Sequence, residues 1–227
     1  MNFITRTFGV MLSIHAFEFN AFAENTYLVS DETKQAVIID PGCYSREEQR
    51  TLSSYVDENK LVIKYILNTH GHVDHVLGND FAKDKFKAPL LISKMDEATT
   101  RAVRNYAPLY GFDAYREAEP DQLLSEGEVV SFGNTTWKVL FLPGHSPGHI
   151  GFYDANEKVL FSGDVLFAQS IGRTDLPSGN FETLINSIHQ KLFILPDEVV
   201  VYPGHGPSTT IGEEKISNPF CALSLIR

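Results

Sequence analysis

The chain is poor in several features that mark protein classes. It has two cysteines, Cys43 and Cys221, far apart in sequence. That spacing supplies neither a disulfide framework nor a CxxC-type zinc ribbon, and it fits a reducing, cytoplasmic setting. No run of basic residues is longer than a pair, and the formal net charge is −10. Nucleic acid and anionic membrane surfaces select clustered Lys and Arg, so neither is expected as a partner. No stretch approaches the ~18 consecutive apolar residues of a membrane span. No low-complexity linker divides the chain, so one domain over residues 11–227 is expected.

What is present suits a sizeable core. The 227 residues are 43% hydrophobic, with 16 Phe and 9 Tyr. Near the N-terminus, Ala21-Phe22-Ala23 has the form of a signal-peptidase site. However, His15 and Glu18 interrupt the apolar stretch before it. Residues 12–29 read instead as a pair of strands, which cleavage after Ala23 would destroy. Met11 is expected as the natural start, with residues 1–10 a tag or upstream extension.

Two stretches share a pattern. Thr26-Tyr27-Leu28-Val29-Ser30, a polar turn, then Ala36-Val37-Ile38-Ile39-Asp40 reads as a hairpin ending on an Asp. Gly151-Phe152-Tyr153, a polar turn, then Val159-Leu160-Phe161-Ser162-Gly163-Asp164 reads the same way. The chain is therefore expected to have two related halves. Helices are expected from Ser45, with Glu48 completing a capping box, to about Asn59, over residues 78–87 and over 181–191. Residues 94–119 have helical patterning broken by Pro108 and Gly111; this aromatic-rich segment is read as a lid or as ordinary helical packing. Strands apolar on both faces, interleaved with helices, predict an α/β layered fold.

Against this background one turn stands out. Asn68-Thr69-His70-Gly71-His72-Val73-Asp74-His75 holds three of the chain's eight histidines directly after the apolar run 61–67. On an irregular turn His70 and His72 can face one cation, and Asp74 and His75 a second beside it. Three further strand-like runs end on such residues: Pro143-Gly144-His145, Ser162-Gly163-Asp164 and Pro203-Gly204-His205. Imidazole and carboxylate without thiolate suit zinc, iron or manganese. Glycines 71, 144 and 204 allow close backbone approach. A solvated His-rich turn is the competing explanation, and four ligand-bearing strand ends weigh against it.

The set THGHVDH, PGHSPGH, SGD and PGH resembles the metallo-β-lactamase superfamily. Within it the chain is most similar to the short, single-domain relatives of the glyoxalase II (hydroxyacylglutathione hydrolase) thioesterases. The resemblance covers nearly the whole chain from Leu12. It implies a four-layer αββα sandwich built from two related halves. It also implies that His70, His72 and His145 hold a first divalent metal and Asp74, His75 and His205 a second, with Asp164 bridging them. Zinc is the first expectation. A metal-bridged hydroxide would attack the carbonyl of a small-molecule thioester, glutathione-linked in that family, with Asp74 also orienting the water.

Two departures widen the choice of substrate. Only 22 residues follow His205, too few for the helical domain that supplies glutathione-binding basic residues in full-length glyoxalase II. Another thioester, a lactone, an ester or a β-lactam therefore stands beside glutathione. The similar persulfide dioxygenases use one Fe(II) on two His and one Asp; here these would be His70 or His72, His145 and Asp164. Pro203-Gly204-His205-Gly206-Pro207 and Ile171, where the dioxygenases tend to have Cys, favour the hydrolase. A non-catalytic metal-binding protein has no need for an open dinuclear site.

Other residues have weaker roles. Asp40 either orients ligands from behind the cluster or shapes an Asp-Pro-Gly turn. Arg173 either holds an anionic substrate group or pairs with Asp175. Ser146 and His149 are read as loop structure, so no organic nucleophile is expected. Cys43 is read as a buried thiol, and His15 and His189 as ordinary core or surface residues.

Overall fold

The structure, a computed structural model, describes residues 12–225. The expected extension at 1–10 and start at Met11 lie outside the described residues.

The first half comprises β1 (Ser13–Phe19), β2 (Glu24–Ser30), β3 (Gln35–Ile39), α1 (Arg46–Glu58), β4 (Val62–Leu67), α2 (Val73–Val76), α3 (Asn79–Phe86), β5 (Leu90–Ser93), α4 (Glu97–Tyr106) and β6 (Gln122–Leu124). The second comprises β7 (Val129–Phe132), β8 (Thr135–Phe141), β9 (Ile150–Asp154), β10 (Val159–Gly163), the short pair β11 (Leu166–Phe167) and β12 (Ser170–Ile171), α5 (Phe181–Ser187), β13 (Val200–Pro203), β14 (Thr209–Thr210) and α6 (Ile211–Ser217). One six-stranded sheet runs β1-β2-β3-β4-β5-β6, and the other β14-β13-β10-β9-β8-β7.

Period-two alternation divides the apolar side chains between layers. In the first sheet Tyr27, Val29, Val37, Ile39 and Leu67 meet Phe132, Trp137, Val139, Phe152 and Phe161 of the second. Leu28, Ile38 and Ile66, one residue out of phase, pack outward against Leu52 and Val56 of α1 and Ala82 of α3. On the opposite outer face Leu140 and Leu160 pack against Leu184 of α5 and Ile211 of α6. The layers are therefore αββα, as the resemblance implies. The halves also repeat in topology. The run β1-β2-β3-β4 pairs antiparallel, antiparallel, then parallel, and β8-β9-β10-β13 does the same.

Local chemistry sets the expected helix ends. Ser45 Oγ accepts from Glu48 N at 3.2 Å and Glu48 Oε2 accepts from Ser45 N at 2.8 Å, so the capping box of α1 is closed. Glu48 also accepts from Asn20 N at 2.7 Å, tying the helix to the β1–β2 turn. The signal-like triplet Ala21-Phe22-Ala23 is that turn, which confirms the strand reading. In the segment 94–119 the α-helix ends at Tyr106, and a 3-10 turn over Ala107–Tyr110 carries Pro108 before Gly111 at φ 84°. Helix α5 runs on as a π-turn over Ile188–Leu192. Among the described residues no helix is long and apolar enough to cross a membrane.

Candidate metal centre

The four loops that carry the candidate ligands leave the strands at one edge of the sandwich. The loop after β4 brings His70 and His72, and α2 carries Asp74 and His75. His145 follows β8, Asp164 follows β10 and His205 follows β13. The β10–β13 ladder shifts register between Phe161 and Gly163, and Gly163 takes φ 50°, which turns Asp164 inward. Asp40 holds the equivalent place after β3, itself at φ 48°. Gly204 has a steric role, because a Cβ there would collide with Asp164 Oδ1 and lie 2.7 Å from His75 Cε1. The first half pins the His205 loop: Asn25 N donates to Gly204 O at 2.7 Å and Tyr27 Oη to Pro203 O at 2.7 Å.

All seven sequence-identified residues converge in two groups. In the first, His145 Nε2 lies 2.8 Å from His72 Nδ1 and 3.3 Å from His70 Nε2. In the second, Asp74 Oδ2 lies 3.1 Å from His205 Nε2 and 3.5 Å from His75 Nε2. Asp164 reaches both: Oδ1 is 3.5 Å from His75 Nε2, and Oδ2 is 3.6 Å from His145 Nε2 and 3.5 Å from His205 Nε2.

The outward ring nitrogens are tied down. His145 Nδ1 faces Arg173 O at 2.8 Å, and His205 Nδ1 faces Ala23 O at 3.2 Å. His75 Nδ1 lies 3.1 Å from Asp40 Oδ2. The Thr69 hydroxyl donates to Asp40 Oδ2 at 2.6 Å, so its oxygen lone pair accepts a hydrogen bond from His70 Nδ1–H at 3.1 Å. Each bond places a proton outward and leaves the inward nitrogen as a lone-pair donor. His72 is the exception, because its Nδ1 points inward.

The electrostatics fit a divalent cation. His75 Nε2 and Asp164 Oδ1 are buried without a hydrogen-bond partner, and both aim into the cluster. Burial and the neighbouring rings hold His70 neutral, its pKa well below the ordinary histidine range. Burial and His145 push His72 down to about 4. Burial would depress His75 too, but the Asp74 and Asp164 carboxylates outweigh it and raise its pKa well above the usual value. Charges that favour a proton on Nε2 also favour a cation there. Burial opposes charge on Asp164, yet His75 and its neighbours hold that carboxyl well below the carboxylate range. Asp40, His70 and His75 also cluster, but Asp40 Oδ2 is engaged by Thr69 and by His75 Nδ1, the ring nitrogen opposite the one that faces Asp74 and Asp164.

Several weaker expectations are resolved. Asp40 accepts from Thr69 N at 2.7 Å besides its bonds to Thr69 Oγ1 and His75, so it sits behind residues of both groups. Arg173 makes a two-pronged ion pair with Asp175, at 2.7 and 2.8 Å, on the cleft wall. Its backbone carbonyl is the part that touches the cluster. The string Gly144-His145-Ser146-Pro147-Gly148 matches the letters G-x-S-x-G, but no helix follows it; it joins β8 to β9. Ser146 is fully buried and its hydroxyl donates to Asp96, so it is no exposed nucleophile. His149 accepts from Asp164 N at 3.0 Å and stacks on His70. Cys43 is buried, His15 stacks on Tyr55, and His189 bonds Cys221 O at 2.7 Å.

The sequence reading missed Asp96. Its carboxylate accepts from Gly71 N at 2.6 Å, Gly148 N at 3.0 Å and Ser146 Oγ, which joins the His70–His72 loop to the His145 loop. Its place at the start of α4 looks like a cap, yet the side chain makes no cap bond. The segment 94–119 forms one wall of an open cleft over the cluster, through Met95, Ala98, Ala102, Tyr106 and Leu109.

Comparison with known proteins agrees. A family model described as the metallo-β-lactamase superfamily matches residues 20–205. Hydroxyacylglutathione hydrolase GloC of Haemophilus influenzae is 41% identical over 211 residues, covering 92% of this chain and 98% of that protein. The crystal structure of BLEG-1, a B3 metallo-β-lactamase, superposes with TM-score 0.83 at 37% identity, covering 93% of this chain and 99% of its own. That of TTHA1623 in a di-iron-bound form superposes with TM-score 0.81 at 36% identity, covering 91% and 99%.

Proposed function

The chain belongs to the metallo-β-lactamase superfamily, and on that premise we propose that it is a metal-dependent thioester hydrolase of the hydroxyacylglutathione hydrolase type. The observation that carries the reading is the pair of complete donor groups with Asp164 between them. The GloC relative supports thioester chemistry.

In this reading His70, His72 and His145 would hold one divalent ion and Asp74, His75 and His205 the other, with Asp164 shared between the two groups. Zinc is favoured; the di-iron form of TTHA1623 supports iron as well. Such ions supply Lewis acidity, polarising a carbonyl and lowering the pKa of a water toward ~7. The protein's own part is preorganisation. Asp40 and Thr69 fix the tautomers of His75 and His70, and the Arg173 and Ala23 carbonyls fix those of His145 and His205. Asp74 lies on the cleft floor, where it can orient an attacking water. A thiolate leaves without a proton, so the absence of Lys among the cleft-lining residues is no obstacle.

The test uses one purified, metal-loaded sample, assayed for S-lactoylglutathione hydrolysis and for oxygen uptake with glutathione persulfide. Two ions per chain with thioester cleavage is expected. One iron per chain with oxygen uptake and no thioester cleavage would replace this reading with a persulfide dioxygenase.

A further inference from the structure

The cleft above the cluster measures about 1190 Å³, far more than a lactoyl group needs. Its walls are mainly apolar, with Thr99 and Ser178 as neutral polar members. Met95, Ala98 and Ala102 line one side, with Leu109 and Tyr110 at the rim. Phe22, Phe167, Ile171 and Leu176 line the others. The rim side chains are exposed, Leu109 by 84%, Met95 by 63% and Tyr110 by 55%, the last with its ring edge-on to Phe22. Large apolar side chains left in water beside a reaction centre are the signature of a surface that a ligand covers.

The polar side of the cleft points the same way. Arg173 is the one Lys or Arg among its lining residues, and Asp175 already occupies that guanidinium in a two-pronged pair. Asp74 and Asp164 are turned toward the cluster. A glutathione moiety brings two carboxylates and an ammonium, and a nucleotide carrier brings phosphates. Such groups need charged partners, and one engaged Arg supplies few. Apolar substrate area, by contrast, meets its complement along the whole wall.

We propose that the cleft takes a thioester with one large apolar limb, aliphatic or aromatic, laid along the Met95–Leu109 wall with its carbonyl over the cluster. This rests on the hydrolase reading. The apolar limb can belong to the acyl group or to the leaving thiol, so the experiment varies each separately. One series holds the thiol as N-acetylcysteamine and lengthens the acyl group from acetyl to octanoyl. The other holds acetyl and lengthens a plain alkanethiol. In one of the two, kcat/KM should rise about two- to fourfold per methylene, well above the value for S-lactoylglutathione. In the double variant Met95→Asp with Leu109→Asp, the slope should flatten; both side chains are exposed, so the fold should persist, which circular dichroism checks. Calorimetry adds an arm free of turnover: octanoate should bind the protein at least tenfold more tightly than acetate, and the double variant should lose that margin.

A kcat/KM independent of length in both series, with octanoate binding no tighter than acetate, would overturn the proposal. Cleavage of no thioester at all, with the octanoate margin intact, would remove the hydrolase reading and leave the cleft assignment standing.

Discussion

Asp40 Oδ2 lies 3.1 Å from His75 Nδ1 and accepts the Thr69 hydroxyl, whose lone pair faces His70 Nδ1 at 3.1 Å. One carboxylate thus sets the ring protons of two imidazoles from different donor groups. Asp40→Asn keeps the shape but takes away the charge and one acceptor oxygen. On the two-ion reading, apparent affinity should fall about 10–100-fold for both ions together, read by competition with a chromophoric chelator. Loss at one ion alone would show that the two are not joined through Asp40.

Asp96 predicts a structural phenotype near the site. Asp96→Ala leaves the buried Gly71 and Gly148 amides and the Ser146 hydroxyl without their acceptor. Each unmade buried bond costs about 1–3 kcal/mol. Urea denaturation should show a loss of roughly 2–5 kcal/mol at neutral pH. A change below ~0.5 kcal/mol would mean that the two loops are held by something else.

Glu48 gives a pH dependence that belongs to the α1 cap and the β1–β2 turn. Burial raises its carboxyl, but the Ser45, Asn20 and Tyr44 amides outweigh that and hold it below its usual value. Its contribution is therefore complete above the unfolded pKa of ~4.3 and is lost as pH falls through the folded value. Glu48→Gln should cost about 1 kcal/mol at pH 7. The gap between variant and wild type should close on acidification from about pH 5 to 3. A gap that stayed constant across that range would show that the charge is irrelevant to the capping box.

Much of the site was legible because its information is local. His70, His72, Asp74 and His75 fall within six residues, and His145, Asp164 and His205 each follow an apolar run through a glycine. Apolar residues on both faces of β2, β3 and β10 likewise pointed to sheets covered on both sides, whereas which side chain faces which layer is visible only in the packing. The Asp96 contacts were not legible. They depend on the crossing of two loops from different halves, and position 96 looks like an ordinary helix cap. Arg173 was read by its side chain, whereas its carbonyl does the positioning, and a carbonyl carries no sequence signal. The letters G-x-S-x-G around Ser146 show the converse: a pattern without the strand–turn–helix context has no nucleophile to offer.

Six of the seven residues form two donor groups, and Asp164 reaches both. Metal content per chain, in the wild type and in His145→Ala and His205→Ala, is the decisive reading. Two ions per wild-type chain are expected and one in each variant, each variant losing a different ion. One ion per wild-type chain, or two retained in both variants, would show that the residues do not form two separate metal sites.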